Sequence, residues 1–521
     1  MKINPVLFIA SHVADHHGIG YMRALLSREG FNTSVIDLRK GKRAILRNIQ
    51  QSEPRLIGFS FIFQSNFRQF TELISYLRGE GVICHFTAGG HYASLKYEEL
   101  FTKVPMLDSI VRFEGEYTIL ELAKCIYSGS DWKKTDGLVY MNAGKLVVNT
   151  PRKAEKDLDK FPVFIRPRLK KMTSNIKFAT ILAGRGCSHN CSFCNTSEYY
   201  RQMAGPTKRN RRPEMVVDEM FDLYNNRQCS VFMFDDDDFP VTSGDNNSWI
   251  LQFCDSLRNK RLIRKVIWKI NCRPDEIDEK NFRLMKEHGL FHVFIGIEDG
   301  TEEGLRKLNK KTSVEQNIKN INILKELGIG FDFGFMLFQP ETTFDSLNKN
   351  LIFLQNICGD GYTPLTFLKL LPLYETRVEK ELLKEGRLKA GNYGNDYSFL
   401  EKSLDDYYSF VMSCLHDCLT GNNGFVNVAQ CAINNLEVHS HFFETTSASK
   451  KFNKTIHAII SDFNMFIICT LQDLAGVFKS GQYRSETGML QFYRMIIKTN
   501  HEYYRNLVLT KMIEFSVVSS D

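Results

Sequence analysis

Residues Gly184 to Cys194 read GRGCSHNCSFC, with cysteines at 187, 191 and 194. Three thiols in so short a stretch fit structural roles badly. Disulfides join cysteines in pairs, and a structural zinc site takes four ligands, usually as two spaced pairs. Three thiolates do suit an iron–sulfur cluster that keeps one iron open, because a fourth would block the position where a small molecule can be chelated. The stretch begins within the end of a strand candidate, FATILAGRG from Phe178 to Gly186, whose apolar run reads as a buried strand. Loops at the carboxyl ends of strands are where α/β folds place their chemistry.

Working outward, five more strand candidates follow, at 231–238, 265–273, 291–300, 330–338 and 366–373, with helical stretches such as PEMVVDEMFDLYNN and SVEQNIKNINILKELG between them. This alternation predicts a partial (β/α)6 TIM barrel over residues 173–390. Ahead of it, residues 1–145 alternate apolar strands (VLFIAS, TSVIDL, RLIGFSFI, VICHFTAGG, SIVRFEGE) with amphipathic helices. Such runs predict a Rossmann-like parallel sheet covered on both faces. Its strand ends carry Ser60, the Gly89-Gly90-His91 turn and Glu114-Gly115-Glu116. Residues 146–172 read as a linker, and 391–521 as an α-helical domain rich in Tyr, Phe, Met and Ile. The fold class is α/β with a helical C-terminal domain.

With 43% apolar and 24% charged residues and a formal charge of +7 over 521 residues, the composition is that of a soluble globular protein and gives no reason to expect a nucleic-acid partner. The densest basic run, Lys208 to Arg212, reads as a solvated loop before a helix opened by Pro213 and Glu214. The N-terminus lacks a signal-peptide pattern, and the apolar run MFIICTLQDLAGVF is broken by Gln472 and Asp473. These features predict a cytoplasmic protein, with no membrane span, whose 13 cysteines are mostly reduced core residues. Cys414 and Cys418, with His416 between them, read as a core pair; His439 and His441 have no obvious metal partner.

The CxxxCxxC spacing after a first barrel strand, with Phe193 before the third cysteine, resembles the radical S-adenosylmethionine (SAM) superfamily. The resemblance implies a 4Fe–4S cluster on Cys187, Cys191 and Cys194. Its unique iron would bind SAM, and reduction would cleave SAM to methionine and a 5′-deoxyadenosyl radical. Asp236, Asp237 and Phe239 in FDDDDF resemble the segment where an acid meets the SAM ammonium, a charge-assisted contact. Arg273 is similar to an arginine that steadies the SAM carboxylate, and Glu298 in GIEDG to a carboxylate that bonds its ribose. FQPETT at 338–343 departs from the commoner G-x-P-G-E-T, and no role is assigned to it.

The front domain resembles the cobalamin-binding domain placed ahead of such barrels. Ser60-Phe61-Ile62 stands where that fold has S-x-L, Gly89-Gly90 where it has paired glycines, and VRFEGE at its last strand and turn. Asp15 to Gly20 contains D-x-H-x-x-G. In another group of cobalamin enzymes that histidine, here His17, ligates cobalt from below. Over about residues 1–385 the chain thus resembles cobalamin-dependent radical SAM enzymes. The resemblance implies methyl transfer from methylcobalamin to an unactivated carbon of a small-molecule or peptide substrate, with an external electron donor of flavodoxin or ferredoxin type. Ring formation, rearrangement or oxidation without net methylation is the alternative within that family. A non-catalytic cobalamin-binding sensor is the alternative outside it.

Overall fold

A computed structural model of the chain describes residues 4–11, 16–166, 169–172, 176–241, 248–391, 394–443, 445–485 and 487–518. Strands β1 (Val6–Ala10), β2 (Thr33–Asp37), β3 (Leu56–Ser60), β4 (His85–Gly89) and β5 (Ser109–Val111) pair in parallel. They alternate with helices α1 (His17–Arg28), α2 (Lys42–Ser52), α3 (Phe67–Gly79), α4 (His91–Leu95), α5 (Tyr97–Lys103) and α6 (Glu116–Ser128). An antiparallel hairpin, β6 (Leu138–Asn142) and β7 (Lys145–Val148), extends the sheet to the order β2-β1-β3-β4-β5-β6-β7. β1 is buried at every residue, as expected of a strand covered on both faces. The linker then folds back over α1. Gly20 permits this, since a Cβ there would overlap the Phe164 ring, and Ile165 N donates to Gly20 O at 3.2 Å.

The second sheet has the order β15-β14-β13-β12-β9-β8. Its parallel members are β9 (Lys177–Ile181), β12 (Cys229–Phe234), β13 (Ile267–Cys272), β14 (Leu290–Glu298) and β15 (Gly330–Phe335), with the short antiparallel β8 (Lys170–Lys171) at one edge. A hairpin, β10 (Gly184–Gly186) and β11 (Lys208–Asn210), brackets the cysteine loop and α7 (Asn195–Gln202). The intervening helices are α8 (Pro213–Arg227), α9 (Ser248–Asn259), α10 (Glu279–Glu287), α11 (Glu302–Lys307), α12 (Val314–Leu327), α13 (Phe344–Cys358) and α14 (Arg377–Lys384). The expected sixth strand, 366–373, is instead an extended segment with one parallel bridge, Phe338 to Lys369. Leu368 N donates to Phe335 O and Leu370 N to Phe338 O, both at 2.8 Å, and Pro372 then ends the pairing by lacking an N–H. The sheet is a curled half-barrel.

After the hairpin β16 (Leu388–Gly391) and β17 (Gly394–Tyr397) come α15 (Lys402–Thr420), α16 (Phe425–Phe442), α17 (Ser447–Ser480) and α18 (Thr487–Val518). Helix α17 is long and apolar enough to cross a membrane by length and composition. Here its apolar face, from Phe452 to Phe478, is buried in the core shared by the barrel and the helical domain. The helical domain reaches the N-terminal end of the barrel strands. His292 of β14 is buried there, with Nε2 3.0 Å from Asp332 of β15 and Nδ1 3.2 Å from Glu437 of α16. This contact lies at the opposite end of the strands from the cysteine loop.

Candidate functional site

The cysteine loop leaves β10 and is tied down on its far side. Ser192 N donates to Leu308 O at 2.9 Å, Ser192 Oγ to Lys307 O at 3.0 Å, and Asn309 Nδ2 to Asn190 O at 2.6 Å. Cys187, Cys191 and Cys194 are partly buried free thiols. Burial and the nearby Asp238 carboxylate push Cys187 up to about 12, and burial raises Cys194. Binding of a metal to the thiolates would favour ionisation of Cys187 and Cys194 against that burial. Phe193 packs its partly buried ring against the barrel core.

The four consecutive aspartates after β12 do four different things. Asp235 Oδ2 lies 3.7 Å from His17 Nε2 of the front domain. Asp236 is buried and accepts from Ala183 N at 3.1 Å and Gly184 N at 2.6 Å, so its carboxylate holds the turn out of β9. Burial pushes it up to about 8, against the pull of those backbone donors. Asp237 accepts from Gly186 N at 3.2 Å, just ahead of Cys187. Asp238 pairs with Lys208 Nζ at 2.6 Å and lies 3.7 Å from Cys187 Sγ, with its Oδ1 buried and unpartnered. The structure thus engages Asp236, expected at the SAM ammonium, with backbone donors, and leaves open carboxylate capacity on Asp238. Phe239 sits in the core, stacked on Trp268 with ring centroids 6.0 Å apart.

Arg273, at the end of β13, is buried with Nη1 3.5 Å from Cys191 Sγ. Asp275 accepts from Arg273 Nε at 2.9 Å, and Lys310 O accepts from Nη2. Glu298 ends β14 at a break in register, with φ at +71°. Burial raises its carboxyl, while Lys310, 3.4 Å away, and Arg273 pull the other way. Cysteines, Arg273 and Glu298 therefore share one face of the half-barrel. His189, inside the cysteine motif, was not singled out from sequence. Its ring lies 3.9 Å from Asp238 and 3.6 Å from Glu276, and donor atoms of Cys187, His189 and Asp238 fall within 4.8 Å of one another.

A cavity of about 450 Å³ opens at the carboxyl ends of β1, β3 and β4. The front domain contributes His16, His17, Ser60 and Gly90 to its wall, and the barrel contributes Arg185 and Asp237. Gly90 has φ at +107°, and a Cβ there would stand 2.7 Å from Phe61 O, so only glycine makes this turn without strain. Gly89 closes the end of β4, its carbonyl accepting from Phe61 N at 2.7 Å. Ser60 Oγ, expected to meet a nucleotide base, lies 2.7 Å from His16 Nε2, and His16 Nδ1 accepts from Ile19 N at 3.2 Å. Burial lowers His16 to about 4; burial, and then the arginines at 166 and 185, lower His17 to about 3. Asp15, the first residue of the D-x-H-x-x-G reading, lies outside the described residues.

The basic run corrects another expectation. It is not solvated. Lys208 to Asn210 form β11, and Arg209 and Arg211 are buried against Glu114 and Glu219 respectively. The run joins the barrel to the front domain, through Glu114 in the VRFEGE turn.

The donor set fits the groups that the sequence implies. Three free thiols on one loop suit a cluster with an open iron. A turn that only glycine can make and an unpartnered buried imidazole face the cavity where a corrinoid would lie. Residues 181–351 match the radical SAM superfamily and residues 6–123 the B12 binding domain. Among curated relatives, the anaerobic magnesium-protoporphyrin IX monomethyl ester cyclase of Rubrivivax gelatinosus is 28% identical over 306 residues, 56% of this chain and 53% of that protein. An uncharacterized methyltransferase of Pyrococcus horikoshii is 25% identical over 376 residues, 70% of this chain and 79% of that protein. The chain spans about half the length of the cyclase. The solved structure of OxsB, a cobalamin-dependent SAM radical enzyme with aqua-cobalamin and SAM bound, matches 98% of this chain and 80% of its own at a TM-score of 0.68 and 17% identity, which shows a shared fold.

Proposed function

The chain joins a B12 binding domain to a radical SAM domain and is a cobalamin-dependent radical SAM enzyme, with a 4Fe–4S cluster, SAM and cobalamin as its cofactors; from that premise we propose that it transfers a methyl group to an unactivated substrate carbon. When bound, the cofactors supply a one-electron reductant, a source of carbon radicals and a methyl carrier. The chain's own residues hold them to a single space. Cys187, Cys191 and Cys194 hold the cluster, and the positions of Arg273 and Glu298 suit the carboxylate and ribose ends of SAM. Asp238 has the open buried oxygen best placed for the SAM ammonium, in place of Asp236, with Asp237 beside it. Gly90, Gly89 and Ser60 form the cradle for cobalamin.

One observation carries the reading. The cavity beside the front-domain strand ends is closed on its other side by Arg185 and Asp237, which flank the cysteine loop. A methyl carrier in that cavity and a radical source on the loop would face the same substrate. An external one-electron donor of flavodoxin or ferredoxin type and a cytoplasmic setting belong to the same proposal. The cyclase relative favours a second reading, radical chemistry on a substrate without net methylation. Product analysis separates the two. Reconstituted protein, given methyl-deuterated SAM, a reductant and a small-molecule extract of its source cells, should form S-adenosylhomocysteine together with 5′-deoxyadenosine and a labelled product. Formation of 5′-deoxyadenosine with no S-adenosylhomocysteine would reject methyl transfer.

A further inference from the structure

Helix α18 is apolar on two opposite faces. Its inner face, with Leu490, Tyr493, Ile497, Tyr504, Val508 and Phe515 at helical spacing, packs on the core of the helical domain. Its outer face carries Phe492, Met495, Tyr503, Leu509 and Ile513, each between 38 and 65% exposed. At about 100° per residue these five fall within an arc of about 120°, opposite the inner face. From Phe492 to Ile513 the stripe runs about 32 Å along the axis at 1.5 Å per residue. A helix on a domain surface needs only its inner face to be apolar, and single exposed apolar residues are ordinary. An apolar stripe along most of a helix marks an interaction surface.

Charge along the stripe says what the partner is. Arg494, Lys498 and Arg505 follow one border of it, on the same side of the helix. Arg494 reaches the Ser413 hydroxyl at 3.2 Å, and neither it nor Lys498 pairs with a carboxylate among the described residues. At the other end of the helix Phe515 stacks on Phe452 of α17, centroids 4.6 Å apart, and the exposed Lys450, Lys451 and Lys454 flank that contact in the chain. Glu502 is the one acid in the middle of the stripe, with Lys498 and Arg505 one turn away on either side. Glu514, near the end, is paired with Lys511 at 2.8 Å. An apolar ridge with a cationic border matches a surface that is apolar within and anionic at its edge, which is the chemistry of a bilayer of acidic lipids. The ridge is convex, and a lipid surface receives it without a preformed groove. A second copy in antiparallel pairing would set the cationic border against itself.

We propose that the outer face of α18 seats the protein on the surface of an anionic membrane, with its five apolar side chains at the boundary of head groups and acyl chains and with Arg494 and Lys498 on the lipid phosphates. The helix lies on the membrane and does not span it. The inference is independent of the reaction and of the cofactors. Helix α18 packs on α15, α16 and α17, and its described residues lend none to the cavity wall.

Vesicle flotation with the reconstituted chain tests it and needs no substrate. The protein should float with vesicles of equal parts phosphatidylglycerol and phosphatidylcholine and stay behind with vesicles of phosphatidylcholine alone. Lys498→Gln should weaken binding about fivefold, the share of one cation at an acidic surface. The double variant Phe492→Ser/Ile513→Ser should weaken it at least about tenfold through lost apolar burial. Both variants should keep the thermal melting and iron content of the parent; if the double variant melts early, Lys498→Gln, which removes no packing, decides. No flotation, equal flotation with the two lipids, or variants that bind like the parent would overturn the proposal. Light scattering identifies one rival: a dimer that the double variant dissolves, in protein that ignores vesicles, would give the face to a second copy and overturn the membrane assignment.

Discussion

Arg209 forks onto Glu114, Nη1 to Oε2 at 2.9 Å and Nη2 to Oε1 at 2.5 Å, and so bolts the barrel's hairpin to the turn after β5 of the front domain. Arg185, on the facing strand, adds Glu116 at 2.7 Å and Glu114 at 3.4 Å. The cysteine loop begins two residues after Arg185. The clamp therefore fixes the cysteine loop relative to the front-domain cavity, the separation on which the proposed methyl transfer would depend.

Glu114→Gln would leave the buried Arg209 guanidinium without its full counter-charge. Removing one partner of a buried pair costs on the order of 3 kcal/mol. Denaturant titration should show a loss of that order, and the variant should release corrinoid faster than the parent. Unchanged stability together with unchanged corrinoid release would dismiss the clamp.

Cys187→Ser, Cys191→Ser and Cys194→Ser should each abolish reductive SAM cleavage, scored as 5′-deoxyadenosine, and should leave corrinoid uptake near the parent level. The loop and the cradle lie on different domains, so the two properties should separate cleanly. Residual cleavage in any one of these variants would remove that cysteine from the ligand set.

Gly90→Ala places a Cβ against Phe61 O in a left-handed turn, at a cost of about 1–3 kcal/mol. Weaker corrinoid binding should accompany the lost stability, with iron content unchanged. Parent-like corrinoid affinity would show that this turn does not shape the cradle.

The His292 contact predicts how stability follows pH. Burial opposes its charge, but Asp332 and Glu437 outweigh burial and raise it above its ordinary 6.5. Burial likewise opposes the Asp332 charge, yet His292 and Lys269 hold that carboxyl to about 2, below its ordinary 3.8. The histidine's contribution is complete below 6.5 and is lost as pH rises through its raised value. The aspartate's is complete above 3.8 and is lost as pH falls towards 2. Glu437→Gln should lower stability by about 1–3 kcal/mol near pH 6 and by less near pH 9. Parallel curves for parent and variant would refute the charged histidine.

The sequence showed what local spacing constrains. The three cysteines, Gly90 and Glu298 lie where strand ends and turns place them, because each motif spans only a few residues after a strand. Pairings across long separations were not legible. His292 and Glu437 are 145 residues apart, and periodicity says nothing about which helix closes which end of a sheet. The basic run was misread for the same reason. Lys208 to Arg212 in isolation looks like a solvated loop, but its arginines at 209 and 211 meet buried carboxylates from distant segments. Asp236 and Asp237 cannot be told apart by type, since only the fold shows which one the backbone of Ala183 and Gly184 engages.

An iron site left open beside the cobalamin cradle is the claim on which the account depends. Mössbauer spectroscopy of protein rebuilt anaerobically with iron-57, before and after SAM is added, tests it most directly. The expected result is a four-iron cluster in which one iron signal shifts on SAM binding while the other three hold. A spectrum that SAM leaves unchanged, or protein that takes up zinc in place of the cluster, would contradict it.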